Sequence, residues 1–539
     1  MDDELQEGLL SGFRKTRSPW SWPRLRRVAF AIVLLFVSIF LFIFVFVPRP
    51  TRTDDTTLPV PETDQLNWAQ YAPYLPAAQY EPPPAGCRVT QVNIIQRHGA
   101  RFPTTGASQR ILSALHKIQA VPAYTSPLLR FLESYEYGLG TDDLVAYGAA
   151  ESFDAGREAF TRYEALVDDH RLPFIRSDSS QRDVDSATNW TAGFAAASGG
   201  AYHPVLALVL DTATGNNTLD NSQCPAAGTS SSETHTWQSI YLPPITAHLN
   251  RAAPGAHLTD EDTYNLISIC PFETIATGMK SAWCALFERF RGAFSGFAYN
   301  GDLDKFYKTG YGQPLGAVQG VGYTNELLAR LTSSPVQDHT QTDHTLPFPL
   351  DRTLYLDFSH DNHMVSVFAA MGLFAQGTPL DPRGPEGRMG RRGRMGEGRR
   401  GKRGKGRRGE GRRGEGGTWK VGEMVPFAGR MVVERLSCLT PRPTGLAPAP
   451  APAPAAGPGP RPAGPAAGHA GNTNIDMVRV LVQDAVQPLE FCAGAAANEQ
   501  GTGTGNEMGT GMCTLDAFVE SQRYARGDGE GDWERCFEV

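Results

Sequence analysis

The chain carries the stretch Arg97-His98-Gly99-Ala100-Arg101-Phe102-Pro103 directly after Val89–Ile95, an apolar run that is typical of a buried strand. Each of the two guanidiniums can bind phosphate oxygens in a fork, and the imidazole beside them can attack the phosphorus. Gly99 permits a close approach of the backbone, and Pro103 stiffens the exit from the strand. The stretch therefore predicts an anion site with a histidine nucleophile at the end of a strand.

Two further segments predict strands that end in polar residues. Thr353–Phe358 alternates as a strand and is followed by Ser359-His360-Asp361-Asn362 and by an apolar helical pattern over 363–374. Pro173–Ser177 is also strand-like and is followed by Asp178–Arg182. In open α/β sheets, anions bind where strand ends meet the N-termini of helices, so this crevice is where a phosphate is expected.

These segments resemble the Arg-His-Gly-x-Arg-x-Pro signature and the His-Asp pair of the histidine acid phosphatases. The chain is most similar to the fungal phytases of that family, from about residue 68 to residue 539 and including Tyr135–Leu144 and Gly316–Leu327. The resemblance implies a three-layer α/β sandwich of the phosphoglycerate mutase-like type. A smaller inserted α-domain, at about 192–312, is expected to cap the site.

The resemblance also implies a role for each site residue. His98 is the nucleophile, and Asp361 is the proton donor. The implied phosphate ligands are Arg97, Arg101, Arg176 and His360. Arg176 is favoured over Arg182, because Arg182 falls where the following helix should already have begun. The residues implied at the substrate rim are Arg110, Lys305 and Asn362. Neither a metal nor a cofactor is expected, because positive side chains neutralise the phosphate.

The implied reaction is hydrolysis of a phosphomonoester through a phosphohistidine, with phytate (inositol hexakisphosphate) as substrate at acidic pH. The rim differs from that of the phytases, since Ala107 and Arg110 stand where two lysines are expected and Asp304-Lys305 replaces a Lys-Lys pair. Fewer positive groups favour the alternative of a broad-specificity acid phosphatase. A catalytically idle phosphate-binding membrane protein is the alternative from another class, but binding alone would not need both His98 and Asp361.

Residues 28–47 form an apolar run, interrupted only by Ser38, that is long enough to cross a bilayer. The residues before this run are more basic than those after it, which places the N-terminus in the cytosol. We therefore expect a cytosolic tail (1–27), a transmembrane signal anchor (28–47) and a stalk (48–84). The catalytic domain (85–539) would then face the lumen or the outside, as in a single-pass type II protein. The alternative is a cleaved signal peptide and a secreted enzyme, which the long charged leader and Pro48-Arg49-Pro50 disfavour.

All eight cysteines follow this apolar run, and their even number fits disulfides in an oxidising compartment. Spacing alone leaves their pairing open. The resemblance implies the pairs Cys87–Cys438, Cys224–Cys536, Cys270–Cys284 and Cys492–Cys513. Two stretches match the pattern of glycosylation acceptors and place the sugar on Asn189 and Asn216.

The chain has 539 residues, of which 41% are hydrophobic, and this suits a large globular core. Its net charge is −7, although the chain contains a basic Gly/Arg repeat over 383–417. This repeat has no apolar periodicity. A second biased segment, 439–471, is rich in Ala and Pro. Both are predicted to be disordered loop insertions. Nucleic-acid binding by the Gly/Arg segment is disfavoured, because this segment interrupts phosphatase-like sequence on the lumenal side. The expected partners are a small phosphorylated substrate and the membrane.

Overall fold

The computed structural model of the protein describes residues 57–211, 217–340, 348–385, 419–439, 474–492 and 511–538. The predicted tail, the apolar run 28–47, Asn216 and nearly all of both insertions lie outside these ranges. Within the described ranges, no helix combines the length and the apolar character needed to span a bilayer. The predicted stalk is shorter than expected, because residues from 57 on already belong to the folded part, where Val60, Trp68 and Ala72 are buried in a hydrophobic cluster.

The described residues form an eight-stranded mixed sheet with helices around it. The spatial order of the strands is β3-β2-β4-β1-β5-β6-β7, and β8 pairs with β6. The strands are β1 Cys87–Arg97, β2 Phe174–Asp178, β3 Leu206–Leu210, β4 Leu354–Ser359, β5 Arg430–Leu439, β6 Asn474–Val482, β7 Ala485–Val486 and β8 Met512–Thr514.

The helices of the described residues are α1 Glu62–Gln65, α2 Thr105–Gln119, α3 Ala146–Tyr163, α4 Gln181–Ala197, α5 Ser231–Tyr241, α6 Pro243–Ala252, α7 Asp260–Thr277, α8 Ala282–Phe287, α9 Ala293–Lys308, α10 Val321–Thr332, α11 Asp361–Ala370, α12 Val421–Met424, α13 Leu515–Ser521, α14 Arg523–Arg526 and α15 Asp532–Arg535. Short 3₁₀ turns cover Leu66–Tyr71, Pro127–Glu133, Glu164–Leu166 and Ala317–Gly320.

The half of the sheet that carries the sequence motifs is parallel. β1 pairs with β4, β4 with β2, and β2 with β3, all in the same direction, whereas β5 runs antiparallel to β1. The carboxyl ends of β1, β2 and β4 therefore meet at one edge, as the sequence predicted. That edge is the usual position of a ligand crevice in such sheets.

Helices cover both faces of the sheet. On one face, Ile94 and Leu356 pack against α3 and α4, with Trp190 of α4 fully buried. On the other face, Ile95 packs with residues of α10 and α11. Alternate residues of one strand thus serve two cores, since successive side chains of a strand point to opposite faces. The three-layer α/β prediction is confirmed.

The helical part is bounded differently from the prediction of 192–312. Residue 192 lies inside α4, and β3 is a strand of the main sheet, so the consecutive helices begin only with α5. A separate hydrophobic cluster joins residues of α2 and of the turn Pro127–Glu133 to α6, α7, α8 and α9. The helical part therefore also recruits the segment that follows the phosphate signature.

The described structure contains four disulfides, and they are the four pairs implied by the resemblance: Cys87–Cys438, Cys224–Cys536, Cys270–Cys284 and Cys492–Cys513. Of the two glycosylation candidates, Asn189 lies within α4, where its Nδ2 donates to the Asp185 carbonyl at 2.8 Å. Its modification stays a prediction.

Candidate active site

The pairing of β1 with β4 brings the two principal motifs together. Arg97 is the register partner of Ser359, and the backbone N–H of His98 donates to the Ser359 carbonyl at 3.1 Å. The imidazoles of His98 and His360 are consequently neighbours, with 5.7 Å between their ring centroids. Two segments that lie far apart in the chain thus form one site at the carboxyl edge of the sheet.

The loop after β1 is held against α3. A Cβ atom on Gly99 would lie 2.2 Å from the Gly148 carbonyl oxygen, so the close approach requires glycine. Glu151, also on α3, accepts the backbone N–H of Ala100 at 2.8 Å, and Ser186 of α4 accepts that of Gly99 at 3.0 Å. These contacts fix the backbone that carries His98.

His98 is buried and poised as a nucleophile. Its Nδ1 lies 2.8 Å from the Gly99 carbonyl oxygen, which can only accept a hydrogen bond. Nδ1 therefore carries the proton, and Nε2 keeps its lone pair. Burial, followed by the charges of Arg97 and Arg101, holds the pKa of His98 well below its ordinary value. The attacking nitrogen thus remains unprotonated in acid.

Arg97 and Arg101 supply free donors to this site. The Arg97 side chain is fully buried, and its NH1 donates to the Val425 carbonyl at 2.9 Å, whereas its Nε and NH2 make no hydrogen bond. Nε of Arg101 is also buried without a hydrogen-bond partner. Burial, followed by the charge of Arg97, lowers the pKa of Arg101 to about 10, so the Arg101 guanidinium stays charged. Buried donors without acceptors are costly, and an anion at this point would satisfy them.

The prediction that Arg176 binds phosphate is wrong. Arg176 is buried, its Nε donates to Asp357 Oδ1 at 2.6 Å, and its NH2 donates to Glu326 Oε2 at 2.6 Å. Asp357 also accepts Arg330 NH1 at 2.6 Å. The guanidinium of Arg176 is therefore committed to an ion-pair network inside the sheet and cannot serve as a phosphate ligand.

Arg182 takes the position that was assigned to Arg176. It is the second residue of α4, and its NH2 lies 3.5 Å from Nδ1 of His360. Its charge contributes to the lowered pKa values of Arg97, His98 and Arg101. A position in the first turn of a helix does not exclude a phosphate ligand, because the N-terminus of a helix at a strand end is where anions bind.

His360 lies between two carboxylates. Its Nε2 donates to Asp178 Oδ1 at 3.0 Å, and its Nδ1 lies 3.4 Å from Asp183 Oδ2. Burial alone would lower the pKa of His360, but Asp183 and Asp178 outweigh burial and raise it. His360 therefore adds positive charge to the site in acid. Its role as a direct phosphate ligand stays a prediction, because Nε2 is already engaged by Asp178.

The same three groups are the described residues whose geometry could hold a metal ion, with ligand atoms within 4.8 Å of one another. In the described structure the two ring nitrogens of His360 instead face one carboxylate each, Nε2 facing Asp178 and Nδ1 facing Asp183. A cationic imidazole between two carboxylates accounts for the arrangement. The chemistry derived below uses only this chain's own side chains.

Asp361 is the first residue of α11 and is paired with two cations. Its Oδ2 lies 3.4 Å from Arg97 NH2 and 3.0 Å from Lys305 Nζ. Burial alone would raise the pKa of Asp361, but Arg97 and Lys305 outweigh burial and hold it well below the ordinary value. The predicted proton donor is thus beside the nucleophile but ionised.

The predicted rim residues occupy different depths. Arg110 is exposed on α2, whereas Lys305 is only 4% exposed and lies on the floor of the site. Asn362 Oδ1 accepts the Lys305 ammonium at 2.6 Å. Lys305 therefore contacts the proton donor and its neighbour rather than the rim, and no pattern in the sequence indicates this contact.

The comparisons with known proteins agree with this geometry. Residues 88–482 match the sequence profile described as "Histidine phosphatase superfamily (branch 2)". The chain belongs to this superfamily. Phytase A of Neurospora crassa is 33% identical over 512 residues, which cover 87% of this chain and 91% of that protein. Phytase A of Emericella nidulans is 34% identical over 492 residues, covering 87% and 90%.

The solved structure of the phytase from D. castellii matches this histidine phosphatase with a TM-score of 0.60 and 18% sequence identity, over 88% of this chain and 90% of that one. At this identity the likeness bears on the fold alone. Family and fold agree with the sequence-based expectation. The protein is a histidine acid phosphatase, an enzyme that hydrolyses phosphoric monoesters.

Proposed function

We propose that this histidine phosphatase releases phosphate from phytate at acidic pH through a phosphohistidine intermediate. The observation that carries the chemistry is the state of His98. Its Nδ1 proton is directed to the Gly99 carbonyl, which leaves Nε2 free, and Arg97 and Arg101 of the same site each have a buried Nε donor without an acceptor. The relatives named Phytase A support phytate as the substrate.

In the first step the arginines bind the oxygens of the phosphoryl group and hold the phosphorus in line with His98. Nε2 of His98 attacks, the P–N bond forms, and the bond from phosphorus to the ester oxygen breaks. Asp361 gives that oxygen a proton, so the product leaves as an alcohol. The proton stays on Nδ1 of His98, and its hydrogen bond to the Gly99 carbonyl oxygen stabilises the positive charge that develops on the ring.

In the second step a water molecule attacks the phosphorus of the phosphohistidine. Asp361, now a carboxylate, takes a proton from this water, and the P–N bond breaks as the new P–O bond forms. Inorganic phosphate leaves, and the lone pair returns to Nε2 of His98. Because the pKa of His98 is lowered, the free nucleophile is lost only when the pH falls through that low value.

A broad-specificity acid phosphatase is the second candidate. The observation that favours it is the burial of Lys305, whose ammonium is engaged by Asp361 and Asn362 instead of standing at the rim. A rim with fewer cations discriminates less strongly in favour of a substrate that carries many phosphates.

Release of inorganic phosphate from phytate and from p-nitrophenyl phosphate by one preparation, across the acidic range, tests the proposal. We expect kcat/KM to be higher for phytate, because distant phosphates add binding energy to the same phosphoryl transfer. A higher kcat/KM for nitrophenyl phosphate would establish the broad-specificity alternative. A protein that hydrolyses neither substrate would contradict the proposed function.

We also propose that the apolar run 28–47 anchors the enzyme in a membrane with its catalytic domain in the lumen or outside. The basic residues before the run support this orientation. The full-length chain should then stay with the membrane fraction after extraction with alkaline carbonate. Recovery of a soluble enzyme that lacks the first residues would indicate cleavage and secretion instead.

A further inference from the structure

The proton donor of this site is engaged before any substrate binds. Lys305 of α9 reaches Asp361 Oδ2 at 3.0 Å and donates to Asn362 Oδ1 at 2.6 Å, and Asp304 lies 3.4 Å from the same ammonium. Arg97 NH2 faces the same oxygen of Asp361 at 3.4 Å. A general acid has to carry a proton in the transition state, yet two buried cations oppose a proton on this carboxyl.

We propose that Lys305 is a positioning residue that holds Asp361 as a carboxylate in the free enzyme and releases it for protonation when a phosphoryl group binds. The inference rests on the proposed function and deepens it. A bound phosphoryl group is an anion and competes with Asp361 for both Arg97 and Lys305. The attraction that keeps the proton away from Asp361 is then weakened.

The substrate itself can supply the proton. A phosphomonoester loses its second proton at about pH 6, so in acid it binds as the monoanion with one P–OH group. Its O–H bond breaks as the O–H bond on Asp361 forms. Asp361 then passes this proton to the ester oxygen as the bond from phosphorus to that oxygen breaks, and the balance of protons closes without any other donor.

The groups that face Asp361 come from β1, from the loop that follows β1 and from α9. Arg97 is the last residue of β1, His98 follows it, and Lys305 comes from the helical part. Arg97 and Lys305 contribute more than His98 to the lowered pKa of Asp361. Lys305 is the group that can be changed while the arginines of the site are kept intact.

The test is Lys305→Gln, because an amide still donates to Asn362 and removes only the charge. The pH dependence of the rate of phosphohistidine formation is measured by quenched single turnover with glycerol phosphate, a poor leaving group, and with p-nitrophenyl phosphate, a good one. Without the cation the pKa of Asp361 rises, so activity on glycerol phosphate should persist to higher pH, by about one pH unit. The profile with nitrophenyl phosphate should not move, because nitrophenolate departs without a proton.

Two variants complete the comparison. Lys308→Gln removes the same charge from the same helix and should leave both profiles where they are. Asp361→Ala should lower the rate on glycerol phosphate far more than the rate on nitrophenyl phosphate. A rise of KM in Lys305→Gln with an unshifted profile would assign Lys305 to substrate binding alone and overturn the inference. An equal shift for both substrates would overturn it as well.

A measurement on the unmodified enzyme covers the case in which Lys305→Gln does not fold. On addition of inorganic phosphate at acidic pH, infrared difference spectra should gain one protonated carboxyl band, which should be missing in Asp361→Asn. Binding of phosphate without this band would contradict the inference. If the unmodified enzyme hydrolyses neither ester, the proposed function fails, whereas the infrared result still decides the state of Asp361.

Discussion

His98→Ala is expected to lose phosphatase activity by about 10⁴-fold or more while the protein stays folded, because the described site offers no second group in line with the phosphorus. The loss should be equal for alkyl and aryl phosphates, since both require the same P–N bond. Rates of phosphate release, together with the midpoint of thermal unfolding, measure the two halves of this prediction.

The matched control for this variant is His116→Ala, which removes an exposed imidazole from α2. It should keep both activity and unfolding midpoint. Retention of more than about one hundredth of the activity in His98→Ala would remove the nucleophile assignment, because loss of a covalent route costs orders of magnitude. A phosphohistidine trapped by rapid acid-free quenching of the unmodified enzyme, and missing in the variant, would locate the intermediate.

Arg176→Met is expected to lower the free energy of unfolding by about 3–5 kcal/mol, because it leaves Asp357 and Glu326 as buried carboxylates without their shared cation. Denaturation by urea at constant pH measures this change. Arg182→Met is the matched control. It removes the same charge from a cluster of like charges, so stability should be kept while KM for phosphomonoesters rises.

The pH dependence of stability has a defined sign for this network. Burial would raise the pKa of Asp357, but Arg176 and Arg330 outweigh burial and lower it. The contribution of Asp357 to stability is therefore present above its unfolded pKa, about 3.9, and is lost as the pH falls through the lower folded value.

If Arg176→Met instead keeps its stability and loses phosphate binding, Arg176 is a phosphate ligand and its assignment to the ion-pair network is wrong.

The strand ends that build the site could be predicted from the sequence, because the motif at His98 and the pair His360-Asp361 each follow an apolar strand pattern. The choice between Arg176 and Arg182 as the phosphate ligand could not be predicted from the sequence. It depends on the register of β2 against β4, which places Arg176 beside Asp357, and register is not visible in the residues of one strand.

The contact of Lys305 with Asp361 could not be predicted from the sequence either, for a related reason. Its distance from Asp361 is set by the way in which α9 packs against the start of α11, and no local pattern encodes that distance. The pairing of His360 with Asp178 and Asp183 does have a signal in the sequence, namely two acidic residues at and just after the end of a strand. An acidic pair in a site for anions is unexpected unless it pairs with a cation.

The register of the sheet also determines where this enzyme tolerates added sequence. Cys87, at the start of β1, is the partner of Cys438, and Leu439 at the end of β5 is the partner of Asn474 at the start of β6. The chain thus leaves and re-enters the sheet at neighbouring points, and the rise of a strand places these points about 33 Å along β1 from Arg97, the residue before His98. We therefore expect that residues 440–473 can be exchanged for a purification tag or a surface linker without loss of activity, and that an enzyme immobilised through this segment stays active.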